Sequence, residues 1–449
     1  MGGIVTSLFT AGNALNVYQD VFSNIQSNIA NVNTPGYAQQ DQSVLSSAGP
    51  GGGVQLGPLL SSRSQYLDQA VRTQQGQVGA ASQQTQDLAQ VQTLFDVTGK
   101  SGPALALNNF FNSFSQLSVT PNDPTQRQNV LNAANNVAQA FVQNAKGLAT
   151  VSAGVDSQTR TQVSTVNQLA QQIADLNHQL RETPQSAGNP GIDAQANAAL
   201  ENLSQVVNFS TVKQPDGTYS VYIGGQTPLV IGADTYALSP GFSSTQATIQ
   251  SQGKDITAEL QNTGGSLGAL LQERNQTLPG YSSSLNSAAQ NFADSVNTQL
   301  AQGLDQTGNA PTTNLFGYNA ALGAAGTLQV NNLTTSQLAA ASAGAPGGSG
   351  NALAVAAIAT QPLASGLTVT QAYAGVAAQV GSDAASSQQH QTSSQSLLVQ
   401  AQQQRSQVSG VSLNEEAAKL VQFQQAYQAV GQYVSVLKTL NTTLLNMLQ

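Results

Sequence analysis

Residues with reactive side chains are scarce in this 449-residue chain and do not cluster. It contains two histidines, His178 and His390, and no cysteine, which excludes disulfides and thiolate metal sites. Neither histidine lies in an HExxH motif, and a lone histidine on a helix is more often a solvated surface residue than a metal ligand. We therefore expect no metal site and no histidine-based catalysis.

The other candidates for chemistry have structural explanations. The adjacent carboxylates Glu415 and Glu416 fall in the first turn of a predicted helix, where Ser412 or Asn414 can cap the helix and its dipole favours acidic side chains. The glycine run at residues 51–53 lacks the Lys-Ser/Thr that completes a phosphate-binding loop, and no GxSxG or Rossmann motif occurs. The sequence predicts a protein that is not an enzyme and needs no cofactor.

The amino-acid composition narrows the functional class of the protein further. Charged residues make up 8% of the chain, against roughly 25% in ordinary soluble proteins. The net charge is −8 and the thirteen basic residues are scattered, which argues against nucleic acid binding. Weakly charged surfaces suit subunits that pack closely against copies of themselves, because little charge must be desolvated.

The sequence also argues against insertion into a membrane. No run approaches the ~20 apolar residues of a membrane span, so we expect no membrane insertion. The first residues lack the basic and unbroken apolar regions of a secretory signal, so no cleaved signal peptide is predicted.

The elements that organise the chain lie at its two ends. Near the N-terminus, apolar residues recur at alternating steps of three and four, which is the heptad pattern of a coiled-coil seam. These residues are Leu8, Ala11, Leu15, Tyr18, Phe22, Ile25, Ile29 and Val32. One helix cannot bury its own stripe, so the pattern requires a partner helix.

The same phase returns at the C-terminus, with polar interruptions at Glu416 and Asn441. Its apolar members are Leu413, Leu420, Phe423, Tyr427, Val430, Val434, Leu437, Leu444 and Leu448. We predict that the two ends form a coiled-coil pair that joins a larger assembly. The alternative is two ordinary amphipathic helices that close one globular core.

The fold class expected from these patterns is mainly α with a small inserted β module: paired terminal coiled-coil helices plus a long-helix bundle. Helices are predicted over residues 64–99 and 104–117, and from Asp123 or Thr125 to Leu180; further helices cover much of residues 267–300 and 353–408. Pro215-Asp216-Gly217 between alternating apolar residues predicts a hairpin. Residues 43–58 indicate a glycine-rich linker, and residues 303–350 indicate loops with one short strand at 328–330.

These elements predict a nested domain organisation. Residues 1–45 with 409–449 form the terminal coiled-coil domain, and residues 46–190 with 255–408 form the helical bundle. Residues 191–254 form the small β-hairpin module.

One stretch carries a specific resemblance. Residues 27–37 read Ser-Asn-Ile-Ala-Asn-Val-Asn-Thr-Pro-Gly-Tyr, in which Pro35 and Gly36 must end the first helix in a turn. This stretch resembles the N-terminal signature of bacterial flagellar axial proteins, and residues 409–418 and 423–429 resemble the matching tail. The helical region and Leu267-Gly268-Ala269-Leu270-Leu271 are similar to the hook-associated family of the first hook–filament junction. Another axial subunit, of hook or distal rod, and a secreted coiled-coil adhesin are the alternatives.

The resemblance implies a structural subunit of the flagellum, exported unfolded and extracellular, that assembles as a ring or helical array of copies. Its implied partners are hook protein, a second hook-associated junction protein, a cap and an export chaperone. Well-known members carry a large outer β domain where residues 303–350 of this chain form a short segment. The residues expected at the assembly interface are Leu8, Leu15, Tyr18, Phe22, Ile25, Ile29, Asn31, Asn33, Pro35, Gly36, Tyr37, Leu413, Leu420, Phe423, Tyr427, Val434, Leu437 and Leu444.

Overall fold

The computed structural model describes residues 2–47, 52–96, 100–182, 190–261, 263–362 and 366–447. It is mainly helical with a few small sheets, which confirms the predicted fold class. The helices are α1 Gly2–Ala30, α2 Gln65–Gln92, α3 Gly102–Val119, α4 Pro124–Glu182, α5 Pro190–Val206, α6 Thr257–Leu260, α7 Ser266–Gln272, α8 Leu278–Ala301, α9 Ala324–Thr327, α10 Gly350–Ala357, α11 Val369–Ser409 and α12 Leu413–Met447. The strands are β1 Gln40–Ser46, β2 Val54–Ser61, β3 Phe209–Lys213, β4 Tyr219–Ile223, β5 Thr227–Ile231, β6 Asp234–Thr235, β7 Leu238–Phe242, β8 Ala247–Ser251, β9 Lys254–Asp255, β10 Gly303–Leu304, β11 Phe316–Gly317, β12 Gln329–Val330 and β13 Ala341–Ser342.

Most predicted helix boundaries are determined by residues that cap or end a helix. The Asp123 carboxylate accepts from the Thr125 amide at 2.7 Å, as expected of a residue that caps α4. α4 then runs for 59 residues, about 88 Å at 1.5 Å per residue. α2 ends at Gln92, earlier than predicted, and Gly99, the expected stop, lies outside the described residues.

A first core surrounds an aromatic cluster on α3. Phe110 lies 5.3 Å from Phe292 of α8 and 5.7 Å from Phe316, measured between ring centroids. Segment 303–350 closes this core, because Leu328 and Leu338 are buried in it along with Phe316. The segment predicted as loops therefore buries its apolar residues in this core. The strand predicted at 328–330 is β12, which pairs with β11.

A second core joins the β strands to the C-terminal half of α4. The strands form a four-stranded antiparallel sheet in the order β3-β4-β5-β6 and a three-stranded sheet in the order β7-β8-β9. The predicted Asp-Gly hairpin is present: Asp216 accepts from the Thr218 amide at 3.1 Å, and Gly217 has φ of +85°. α5, within the range assigned to the β module, is helical; it packs against α4 and α2, and its apolar residues belong to the same core as the strands, whose apolar faces α4 contacts.

The predicted linker at residues 43–58 is instead part of a paired hairpin. β1 and β2 are antiparallel, with Gln40 opposite Ser61 and Ser46 opposite Val54. The pairing register shifts between Gln42 and Val44, and a Cβ at Gly57 would lie 2.4 Å from the Ser43 hydroxyl. Glycine at this position therefore permits a close strand contact as well as chain flexibility.

A buried carboxyl group lies where α7 passes into a π-helical turn at Glu273–Thr277. Glu273 is 2% exposed, and neither carboxyl oxygen accepts a hydrogen bond from a described residue. Asp87 of α2, also buried, accepts from Gln83 at 2.7 Å and from Gln158 of α4 at 3.3 Å. Burial, with the Asp87 carboxylate nearby, raises the pKa of Glu273 to about 11.

This pKa predicts a stability that falls with rising pH. Between the ordinary pKa of glutamate and about 11, folded Glu273 holds a proton that the unfolded chain has released. The free energy of unfolding should therefore decrease as pH rises from 5 to 9, by up to about 1.4 kcal/mol per unit. Glu273→Gln should flatten this dependence in urea titrations at several pH values. Asp234→Asn removes an exposed carboxylate and should leave the wild-type slope; an unchanged slope in Glu273→Gln would contradict a buried neutral carboxyl group.

Candidate assembly interface

The two ends of the chain lie side by side as α1 and α12. The rings of Tyr18 and Phe423 are 6.1 Å apart between centroids, and those of Phe22 and Tyr427 are 5.9 Å apart, both tilted. Gln19 also donates to the Tyr427 hydroxyl at 3.4 Å. Aromatic pairs in tilted geometry contribute about 0.5–1.5 kcal/mol each beyond their area burial.

The inner row of α12 follows one heptad register. Its buried or half-buried members are Glu416, Leu420, Phe423, Tyr427, Val430, Val434, Leu437 and Asn441, and the adjacent Lys419 and Ala426 are half-buried as well. Leu413 and Leu444, predicted as seam residues, are 51% and 40% exposed. Leu448 lies outside the described residues.

The buried row of α1 coincides with the predicted seam at Ala11 and Ile25 and is displaced from it elsewhere. Ala11, Ala14, Val17, Val21 and Ile25 are buried. By contrast, the predicted Leu8, Leu15, Tyr18, Phe22 and Ile29 are half-buried. α1 contacts both strands of the β1–β2 hairpin in addition to α12, so its apolar face is wider than that of a two-helix seam.

Glu416, predicted as a polar interruption, is the most deeply buried residue of α12, at 0% exposed. Its Oε1 accepts from Gln39 Nε2 at 2.7 Å and its Oε2 accepts from Asn28 Nδ2 at 3.2 Å. Lys419 lies 3.6 Å from Oε1. A buried carboxylate is tolerated where donors and a cation satisfy it, and here those donors come from the other end of the chain.

Asn28 connects this carboxylate to the turn that follows α1. Its Oδ1 accepts from the Gln40 amide at 3.0 Å and from the Tyr37 hydroxyl at 2.9 Å, while its Nδ2 donates to the Gln40 carbonyl at 2.8 Å. Burial raises the pKa of Tyr37, which keeps its hydroxyl protonated as a donor. Asn31 donates to the Ser27 carbonyl at 2.9 Å and so caps α1, whereas Asn33 and Pro35 are exposed.

Gly36 attaches the turn to the body of the protein. Its φ is +74°, and a Cβ there would lie 2.4 Å from the Ala194 carbonyl oxygen at the start of α5. The Gly36 carbonyl accepts from Arg63 Nη2 at 2.6 Å, and Arg63 also pairs with Asp193 of α5 at 2.9 Å. Only glycine combines this backbone conformation with so close an approach.

The joint between α11 and α12 is held to the same hairpin. The Gln39 amide donates to the Ser409 carbonyl at 2.9 Å, and the Ser409 hydroxyl donates to the Ser62 carbonyl at 3.0 Å. The Ser62 amide in turn donates to the Gln39 carbonyl at 2.9 Å. The turn, the hairpin base and the start of α12 therefore form one hydrogen-bonded unit.

The helical body of the chain matches a known family. A family model described as the flagellar hook-associated protein FlgK helical domain matches residues 88–316, slightly more than half of the chain. The chain belongs to the FlgK family. It is accordingly a structural component of the bacterial flagellum, and this family is favoured over hook and distal rod proteins.

Comparisons with individual members of the FlgK family support the same assignment. The chain is 26% identical over 486 residues to flagellar hook-associated protein 1 of Bacillus subtilis, covering 96% of this chain and 95% of that protein. It is 26% identical over 316 residues to the protein of the same name from Salmonella typhimurium, covering 67% of this chain and 57% of that protein. The structure of FlgK from Burkholderia pseudomallei, a flagellar hook junction protein, has a similar fold, with a TM-score of 0.68 at 19% identity over 76% of this chain and all of that one.

The remaining candidates for chemistry in this FlgK-family chain lie away from the paired ends. Among the described residues no group of acidic and histidine side chains has the geometry of a metal site. His178 is exposed and 3.5 Å from Glu182, and His390 is also exposed. None of the helices in the described ranges is long and apolar enough to cross a membrane.

Glu416→Ala should loosen the paired ends of this FlgK-family chain. It removes the acceptor of Gln39 and one acceptor of Asn28, for a loss of about 1–3 kcal/mol. Hydrogen exchange of the α1 and α12 amides should accelerate, while the amides of α4 keep their protection. Glu415→Ala, at an exposed neighbouring position, is the control, and equal exchange in the two variants would refute a special role for Glu416.

Gly36→Ala should detach the turn from α5. An alanine at this φ costs about 1–2 kcal/mol, and its Cβ clashes with the Ala194 carbonyl. We expect a lower urea midpoint and faster proteolysis near residues 31–39. Gly12→Ala, in α1 where a Cβ meets nothing within 4 Å, should be neutral or stabilising; a neutral Gly36→Ala would show that the turn is not fixed against α5.

Proposed function

We propose that this chain is the subunit that joins the flagellar hook to the filament, and that it assembles with copies of itself through α1 and α12. The observation that carries the proposal is an apolar row on α12 that the rest of the described chain leaves uncovered. This row consists of Tyr433, Val436, Leu440, Leu444 and Met447, which are 40–79% exposed.

The spacing of this row favours a helical partner. Its steps of three, four, four and three residues place all five side chains on one face of α12, next to the row that contacts α1. Among the described residues of α12, only Glu416 and Leu437 are fully buried. Burying each large side chain of the exposed row would contribute about 1.5–3 kcal/mol.

The low charge of the paired ends suits a second copy of the same chain. α1 carries one charged side chain, Asp20, and α12 carries four, Glu415, Glu416, Lys419 and Lys438. Side-by-side packing of many such pairs would therefore desolvate few charges. α1 also exposes a large apolar side chain, Phe9, which is 72% exposed.

The neighbours in such an assembly would be hook protein on one side and a second hook-associated protein on the other. A structural relative named as a flagellar hook junction protein supports a neighbour in the hook; the second hook-associated neighbour and an extracellular location after export are part of the proposal. An export chaperone that covers the apolar ends before assembly completes the proposal. The function requires no catalytic step and no cofactor.

Ile25→Asp or Leu437→Asp should abolish assembly without unfolding the body. Each places a charge at a buried position of the paired ends, Ile25 of α1 being 3% exposed and Leu437 of α12 6% exposed, at a loss of several kcal/mol if the charge stays unpaired. In a strain that lacks its own copy of the protein, we expect motility to fail because filaments are not retained. The thermal midpoint of the purified variants should stay near that of the wild type, because the two cores contain neither residue.

The control is Gln424→Asp, at an exposed position of the same helix. It should support motility. Normal motility in Ile25→Asp and Leu437→Asp would refute assembly through the paired ends, and a large drop in their thermal midpoint would favour two ordinary helices of a globular core.

A further inference from the structure

A cavity of about 620 Å³ lies between the hairpin base, α2, α5 and the β3–β4 hairpin. Its wall includes Gln40 and Arg63 near the hairpin, Arg72 of α2, Asp193 of α5, and Thr211 and Tyr219 of the sheet. The space is much larger than a water molecule or a small ion needs. It therefore has room for an amino-acid side chain together with adjoining atoms.

Most charges around the cavity are paired. Arg63 lies 3.2 Å from Asp68 and 2.9 Å from Asp193, and Lys213 lies 2.8 Å from the second oxygen of Asp193. The Tyr219 hydroxyl donates to Asp193 at 2.8 Å. Behind them, Arg405 pairs with Glu201 and lies 3.6 Å from Asp68.

Arg72 is the exception. It is 7% exposed, yet no carboxylate of the described chain lies within ion-pair distance of its guanidinium. Its Nη2 donates to Gln69 at 3.3 Å and to the Thr211 hydroxyl at 3.5 Å, both long. Nε has no acceptor among the described residues, and Nη1 makes no hydrogen bond to them either.

The surrounding charges sum to an excess of one positive charge. Arg63, Arg72, Lys213 and Arg405 face Asp68, Asp193 and Glu201. A buried cation without a partner is unfavourable, because its solvation is not replaced.

We propose that this cavity binds a carboxylate-bearing ligand, with the guanidinium of Arg72 as its receptor. A carboxylate matches the planar fork of arginine and accepts two parallel hydrogen bonds from it. The Thr211 hydroxyl and the Gln69 side chain lie within reach of the same guanidinium and help to position it. Burial lowers the pKa of Arg72, and an anion in the cavity would reverse that effect.

The site does not depend on the proposed role of α1 and α12. Its cation belongs to α2, and no residue of the exposed row on α12 lines it. Loss of filament attachment and loss of carboxylate binding are therefore separable measurements.

The test is a titration of the full-length protein, labelled with ¹⁵N at arginine Nε, with N-acetylglutamate at constant ionic strength. We expect saturable shifts of the Arg72 Nε–H resonance and none with N-acetylglutamine, its neutral counterpart. Arg72→Gln should weaken binding at least tenfold by calorimetry. Arg160→Gln, which removes an arginine that stacks on Phe242 outside the cavity, should bind like the wild type.

Two further measurements decide which kind of carboxylate the cavity binds and whether it binds one at all. A blocked pentapeptide with a central glutamate that binds at least tenfold more tightly than N-acetylglutamate would identify a protein segment as the ligand, and equal affinity would identify a small free carboxylate. Absence of saturable shifts in the wild-type protein with either probe would overturn the proposal. That titration needs no variant, so it remains decisive if Arg72→Gln fails to fold.

Discussion

The structure depends on burying one carboxylate between the two ends of the chain. Glu416 can lose its water only where Gln39 and Asn28 donate to it, and Asn28 is also held by Tyr37 and Gln40. A shift of α12 by one residue along α1 would leave the carboxylate buried and unpaired, which is strongly destabilising. The apolar row supplies attraction between the helices, and the carboxylate fixes their register.

This register is coupled to the body through hydrogen bonds and a close backbone contact at the base of the hairpin. Gly36 lies against Ala194, and Ser409 is joined to Gln39 and Ser62. The hairpin base therefore contacts the start of α5 and the end of α11 as well as α1. The paired ends contribute no residue to the two large apolar cores, so the body and the ends differ in how they are stabilised. The body is held mainly by apolar burial, and the ends by a polar network together with the apolar face that α1 presents to α12 and the β1–β2 hairpin.

Sequence patterns predicted those structural features that depend on the spacing of neighbouring residues. The α12 register from Leu420 to Leu437 and the turn at Asp216-Gly217 depend on neighbouring residues and were predicted correctly, and the cap of α4 is Asp123, one of the two candidates that the sequence offered. The buried face of α1 was displaced because the β1–β2 hairpin also covers it, and glycine content concealed that hairpin. The valines at 17 and 21, one position from the predicted seam, were the available signal of a wider face.

Burial of single polar residues could not be predicted from spacing. Glu416 appeared to be an interruption because its donors, Asn28 and Gln39, are hundreds of residues away in sequence. Glu273 lies in a π-helical turn opposite Asp87 on another helix, and Arg72 lies in a cavity formed by four separate elements. Each requires the tertiary arrangement before its environment can be described. The set of interface residues from sequence remains a prediction, to be tested by the aspartate variants.

α4 has a mechanical consequence for a subunit of a rotating organelle. This one uninterrupted helix contributes side chains to both cores, from Val130 in the first to Leu176 in the second. Torque applied at one core reaches the other through continuous backbone hydrogen bonds, without crossing a loop. The body should therefore twist and bend as a single beam, and a load on it passes to the paired ends through the hydrogen-bonded contacts at Gly36 and Ser409.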